Sequence, residues 1–104
     1  MPKFVIHFMN PESRRKSILA DVPKIWKLAE LAATHVPVHV CEVSSKEKVL
    51  ESMQMGRWSP SPESRDRMRA AGIERASMMK GDVVEDLNEG NFWQVVPHGL
   101  WKLS

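Results

Sequence analysis

Residues Lys3–Met9 alternate Phe4, Ile6 and Phe8 with Val5, His7 and Met9, and both sets are largely apolar. A strand that is apolar on both faces needs cover on each of them, as strands in the middle of a sheet have. This stretch therefore predicts a central strand that the rest of the 104-residue chain must surround. At that length a single domain spanning 1–104 is expected, because two cores would each receive half a typical domain. Apolar runs such as Phe4-Val5-Ile6 and Leu31-Ala32-Ala33 are far shorter than the roughly 20 residues a bilayer-spanning helix needs. The lone cysteine, Cys41, rules out an internal disulfide and fits a reducing compartment. With no apolar stretch long enough for a secretory signal after Met1-Pro2-Lys3, a cytoplasmic location is expected.

After the first strand, Asn10-Pro11-Glu12 predicts a capped helical turn through Lys16, since Asn caps well and Pro suits the first helical position. Ile25, Leu28, Ala29 and Ala32 then recur at helical spacing opposite Lys24, Lys27 and Glu30, which predicts an amphipathic helix over 22–35, ended by Val36-Pro37. Val38–Val43 reads as a second strand. Ser44-Ser45-Lys46-Glu47 carries a Ser-x-x-Glu capping box and predicts a helix over about 45–55, stopped by Gly56. Ser61 ahead of Pro62 predicts a third, ending at Gly72. From Asp82 onward the period changes to strands at 82–87, 91–96 and 100–103, joined by connections short enough to force antiparallel hairpins. The expected class is α+β: a mixed sheet with an N-terminal βαβ unit in which 3–9 and 38–43 join through a right-handed crossover, two further helices, and a C-terminal antiparallel three-stranded meander.

Charge is segregated along this outline. Residues 57–80 sum to +3 and 81–104 to −3 within a total of +2. The basic share comprises Arg57, Arg65, Arg67, Arg69 and Arg75, with Arg14-Arg15-Lys16 earlier in the chain. Such a stripe is either a footprint for phosphate or an ordinary solvated helix face beside Glu63, Asp66 and Glu74. Trp58, next to Arg57 in a Ser-Pro loop, is an interface anchor, a stacking platform for a base, or a side chain folded back on the core. His39 and Cys41 share a strand face, and His7 could join them if the first two strands align suitably. Zinc needs further ligands at characteristic spacing, which the chain lacks. Phosphate-binding loops, nucleophile elbows and metal-protease helices are also missing. No catalytic residue, metal or cofactor is therefore nominated.

The most specific stretch is Arg75-Ala76-Ser77-Met78-Met79-Lys80-Gly81-Asp82-Val83-Val84, in which Lys-Gly-Asp makes a tight turn into a strand and Asp82 can bond the turn amides. It resembles small bacteriophage and mobile-element proteins in which an Arg-x-Ser-x-Ser-x-Gly-Asp-Val-Val run precedes a C-terminal hairpin ending in Gly-aromatic. Arg75, Ser77, Gly81, Asp82, Val83 and Val84 match, as does Gly99 with Trp101 displaced by one; Met79 replaces the second serine. The likeness covers about 30 residues, and similar Gly-Asp-Val turns occur in RNA-binding barrels of the PUA and ASCH type. The resemblance bears on origin more than on mechanism. Together with the small size, the lack of catalytic motifs and the segregated charge, it leads to the expectation of a non-enzymatic interaction protein that binds and modulates a host protein complex in the host cytosol, as anti-defence or host-takeover inhibitors do. Arg57, Trp58, Arg65, Arg69 and Arg75 are the expected partner-binding residues. The competing expectation is a nucleic-acid-binding module, for RNA or single-stranded DNA, built on the same basic segment.

Overall fold

The structure is a computed structural model that describes residues 1–19, 24–54, 58–75 and 77–104. Its strands are β1 (Lys3–Met9), β2 (His35–Glu42), β3 (Val83–Asp86), β4 (Asn91–Val96) and β5 (Gly99–Lys102). They form one sheet in the order β2-β1-β3-β4-β5. Helices α1 (Pro11–Leu19), α2 (Leu31–Thr34), α3 (Lys46–Met53) and α4 (Pro62–Ala70) complete the α+β fold. No helix among the described residues is long and apolar enough to cross a membrane.

β1 lies between β2 and β3, and a packed cluster covers the sheet on each side there, which is why both of its faces are apolar. On one face Phe4, Ile6, Phe8, Val84 and Val95 pack under Val49 and Met53 of α3 and Met68 of α4, joined by Ile73 and Met78. On the other, Met9 and Val83 pack under Trp26, Leu31 and Leu103. Burying each large apolar side chain contributes about 1.5–3 kcal/mol, so the two layers hold the sheet from opposite sides. The meander forms as expected and extends the N-terminal sheet through β1–β3 pairing, with Ile6 opposite Val84.

Several expectations for the N-terminal half are corrected. The strand–helix–strand order is present, but β1 and β2 are antiparallel, as is every other pair among the described residues, so the sheet they form is not mixed and no parallel crossover joins β1 to β2. Asn10 supplies the reason. Its backbone N–H donates to the Thr34 carbonyl and its side-chain amide to the Ala33 carbonyl, both at 2.9 Å. The excursion after β1 thus returns to the end of the sheet it left, and the chain re-enters in the opposite direction. The same side chain accepts from the N–H of Ser13, opening α1 as a cap; α1 then continues past Lys16 to Leu19.

The amphipathic helix expected over 22–35 is replaced by a 3₁₀ turn at Leu28–Glu30 and the single turn of α2; its first two residues lie outside the described residues. Gln94 on β4 takes the competing backbone groups. Its carbonyl oxygen accepts from the N–H of Trp26, and its amide donates to the carbonyl of Lys24, each at 2.8 Å. The segment is thereby laid against the second sheet face, with Trp26 pressed into the core, and the helical periodicity of its sequence loses to that packing.

β2 starts at His35 rather than Val38 and runs through Pro37. Ile6 faces His39 while His7 faces Pro37, so Val38 is an extra residue in the strand. A proline and a bulge are both tolerated on an edge strand. The cap of α3 also moves by one residue: Ser45, not Ser44, accepts from the N–H of Lys48. Its expected stop, Gly56, lies outside the described residues. α4 starts as expected, with Ser61 accepting from the N–H of Ser64 and Pro62 in the first turn, and Gly72 follows it at φ +74°.

Candidate interaction surface

α4 presents the basic part of the segment. Ser64 and Met68, four apart, turn inward, which leaves Arg65, Arg67 and Arg69 exposed. Arg65 donates from Nε to the Pro60 carbonyl at 3.2 Å, and Arg69 lies 3.8 Å from the Asp66 carboxylate. Depressions flank the helix. One, of about 510 Å³, is lined by Arg65 and Arg69, with Met68 and Ile73 supplying apolar surface and Glu74 a carboxylate. Another, on the Arg67 side, reaches β2.

Trp58 takes the folded-back alternative. It meets the Phe8 ring edge-on at 5.9 Å and the His39 ring at 5.1 Å, and it packs against the main core cluster. Arg57 lies outside the described residues.

Arg75 points inward and holds Asp82 in a two-pronged ion pair. Nη1 and Nη2 donate to Oδ2 and Oδ1 at 2.6 Å each, and Nη1 also donates to the Ser77 carbonyl. The guanidinium carbon sits 4.3 Å from the centre of the Phe8 ring. Asp82 is fully buried and accepts two further bonds, from the N–H of Met9 to Oδ1 at 3.0 Å and from the N–H of Met79 to Oδ2 at 2.8 Å. The turn amide bonded by Asp82, as its sequence suggested, is that of Met79. The carbonyl of the preceding residue, Gly81, meets His35 Nε2 at 2.8 Å. Burial is the main cause that holds His35 below the ordinary imidazole range.

This geometry gives the Arg-x-Ser run a physical content. Arg75 and Asp82 are the pair, Ser77 lends a carbonyl, and Gly81 makes the turn at φ +100°, where a Cβ would lie 2.6 Å from the Met9 sulfur. Val83 and Val84 begin the buried strand. At position 79 the backbone N–H bonds Asp82, while the Met79 side chain packs beside the second core cluster and accepts from Arg14 Nε at 3.3 Å.

His7, His39 and Cys41 do not converge. Cys41 and His39 pair opposite Phe4 and Ile6, whereas His7 lies on the other face of β1 and hydrogen-bonds Glu85 at 2.9 Å. Burial pushes the Cys41 thiol up and His39 down, with Arg67 adding to the effect on His39. Among the described residues no three His, Cys, Asp or Glu side chains are grouped to hold a metal. Sequence reasoning missed His35 and Gln94, whose roles depend on long-range contacts. No protein-family model, curated protein or solved structure matches the chain.

Proposed function

We propose that this chain is a non-enzymatic binding protein that docks on an acidic surface of a macromolecular partner through α4. The observation that carries the reading is α4 itself: three exposed arginines on one short helix with partly apolar depressions beside it. Desolvated arginines next to apolar pockets are the usual anchors of protein interfaces. Three groups able to do acid–base chemistry are held in structural contacts, His7 by Glu85, His35 by Gly81 and Asp82 by Arg75. The phage-type resemblance extends the proposal to a host protein complex as partner and to modulation of that complex as the outcome.

A nucleic-acid partner is the competing reading. It is favoured less because a stacking platform needs an open aromatic face, and Trp58 already packs on Phe8 and His39. Immobilised protein exposed to bacterial lysate, before and after nuclease, and then to the purified captured species, separates the two. Retention after nuclease, lost when Arg65→Glu and Arg69→Glu are combined, supports the proposal. Capture that vanishes with nuclease, or micromolar binding to labelled oligonucleotides that weakens linearly in log salt, overturns it.

A further inference from the structure

The depression on the Arg67 side of α4 runs along the outer edge of the sheet. β2 comes first in the strand order, so one row of its backbone groups has no strand beside it among the described residues. Val43 donates its N–H to the Pro2 carbonyl, across to the chain leading into β1. Alternation along an antiparallel strand then turns the N–H and C=O groups of Val40 and Glu42 outward. Beside them Val36, Pro37, Val40, Ala70 and Ala71, together with Arg67, line a groove of about 660 Å³. Exposed edges are commonly blunted by proline or a bulge. Both devices occur here, Pro37 and the extra residue Val38, but they precede Val40 and leave the C-terminal half of the strand able to pair.

Arg67 sets the sign of the groove. Asp66, its neighbour on α4, pairs with Arg69, and Arg67 has no carboxylate partner among the described residues. Glu42, at the far end of the edge, is neutralised by Lys3 at 3.6 Å. We propose that this groove binds an extended segment of a partner protein, which adds as a further strand beside Val40 and Glu42, lays a branched apolar side chain on Val36, Ala70 and Ala71, and sets a carboxylate against Arg67. Strand addition of this kind takes its affinity from main-chain bonds and its selectivity from side-chain pockets. The inference rests on the reading of α4 as the docking surface and specifies which flank is used and by what.

The probes are two acetylated decapeptides of alternating threonine and valine, one with a central aspartate and one with a central lysine, titrated into ¹⁵N-labelled protein. The aspartate peptide is expected to shift the amide resonances of Val40, Glu42, Ala70 and Ala71. It should bind about five- to tenfold more tightly than the lysine peptide, as exchanging one exposed attraction for a repulsion implies. Arg67→Glu, at an exposed position, should invert that preference without unfolding the chain, and N-methylation of alternate peptide amides should abolish binding. Shifts confined to the Arg65 and Arg69 side overturn the groove while leaving α4 as the docking surface. Absence of any shift also overturns the groove, and the fate of α4 is then decided separately by the Arg65/Arg69 capture experiment. A mass that doubles with concentration in light scattering, with the same amides shifting, would place a second copy in the groove and overturn the proposal.

Discussion

Arg75 and the arginines of α4 come from one basic segment of the chain, yet the fold uses them in opposite ways. Arg75 is mostly covered, pinned by Asp82 and stacked on Phe8, whereas Arg69 is 81% exposed and shares only a 3.8 Å contact with Asp66. A guanidinium in water gains little from a carboxylate, because solvent screens the pair and two long side chains must be ordered. Inside the protein the same pair is desolvated, and removing one partner strands the other. Burial, not charge count, decides which arginine holds the fold and which stays in solvent.

The sharpest way to break this comparison is at Asp82. Asp82→Ala leaves Arg75 without its ion-pair partner and removes the acceptor for the Met9 and Met79 amides. It should lower stability by about 3–5 kcal/mol, a large fraction of the roughly 5–15 kcal/mol available to such a domain. Urea denaturation followed by tryptophan fluorescence measures it, and a loss below about 1 kcal/mol would show that the buried pair does not hold the fold. A smaller effect is expected at the adjoining glycine. Gly81→Ala should cost about 2–3 kcal/mol, from a positive φ and from the Met9 sulfur in its path. Gly90→Ala, also at positive φ but with open space around it, should cost about 1 kcal/mol. Equal losses at the two sites would remove the close approach to Met9 from the account.

The pH dependence tests the same region more gently. His35 has its folded pKa depressed, chiefly by burial, so the unfolded chain takes up the proton first as pH falls. The stability contributed by neutral His35 is present above its unfolded value of about 6.5 and is lost as pH drops through the folded value. His39 is shifted in the same direction and adds to the slope. Thermal melts of wild type and His35→Gln between pH 7.5 and about 5 should therefore converge at the acid end. A constant gap across that range contradicts a neutral buried His35. The smallest effect belongs to α4: combining Arg65→Glu with Arg69→Glu should move stability by no more than about 0.5 kcal/mol. A loss several times larger would mean that the exposed arginines also hold the fold.

What the local sequence settled, and why, follows from range. The central character of β1, the start of α4 at Ser61-Pro62 and the C-terminal meander with its two short turns were all legible, because each depends on residues within one element or one turn. The Gly-Asp turn was legible for the same reason, down to Asp82 bonding a nearby amide. Tertiary structure decided the rest. The helix expected over 22–35 gave way because Gln94, far along the chain, takes the Trp26 amide and the Lys24 carbonyl. The sense of β2 was decided by Asn10 holding Thr34 and Ala33 at the end of the sheet where β1 stops. The basic segment announced its charge in the sequence but not which arginine would be buried, since that required Asp82 and Phe8 to be brought beside Arg75. Short-range preferences are worth a few tenths to about 1 kcal/mol per residue, and a buried contact or a satisfied backbone group in a core matches or exceeds that. Where the two agree the chain reads correctly from its own pattern, and where they conflict the packing wins.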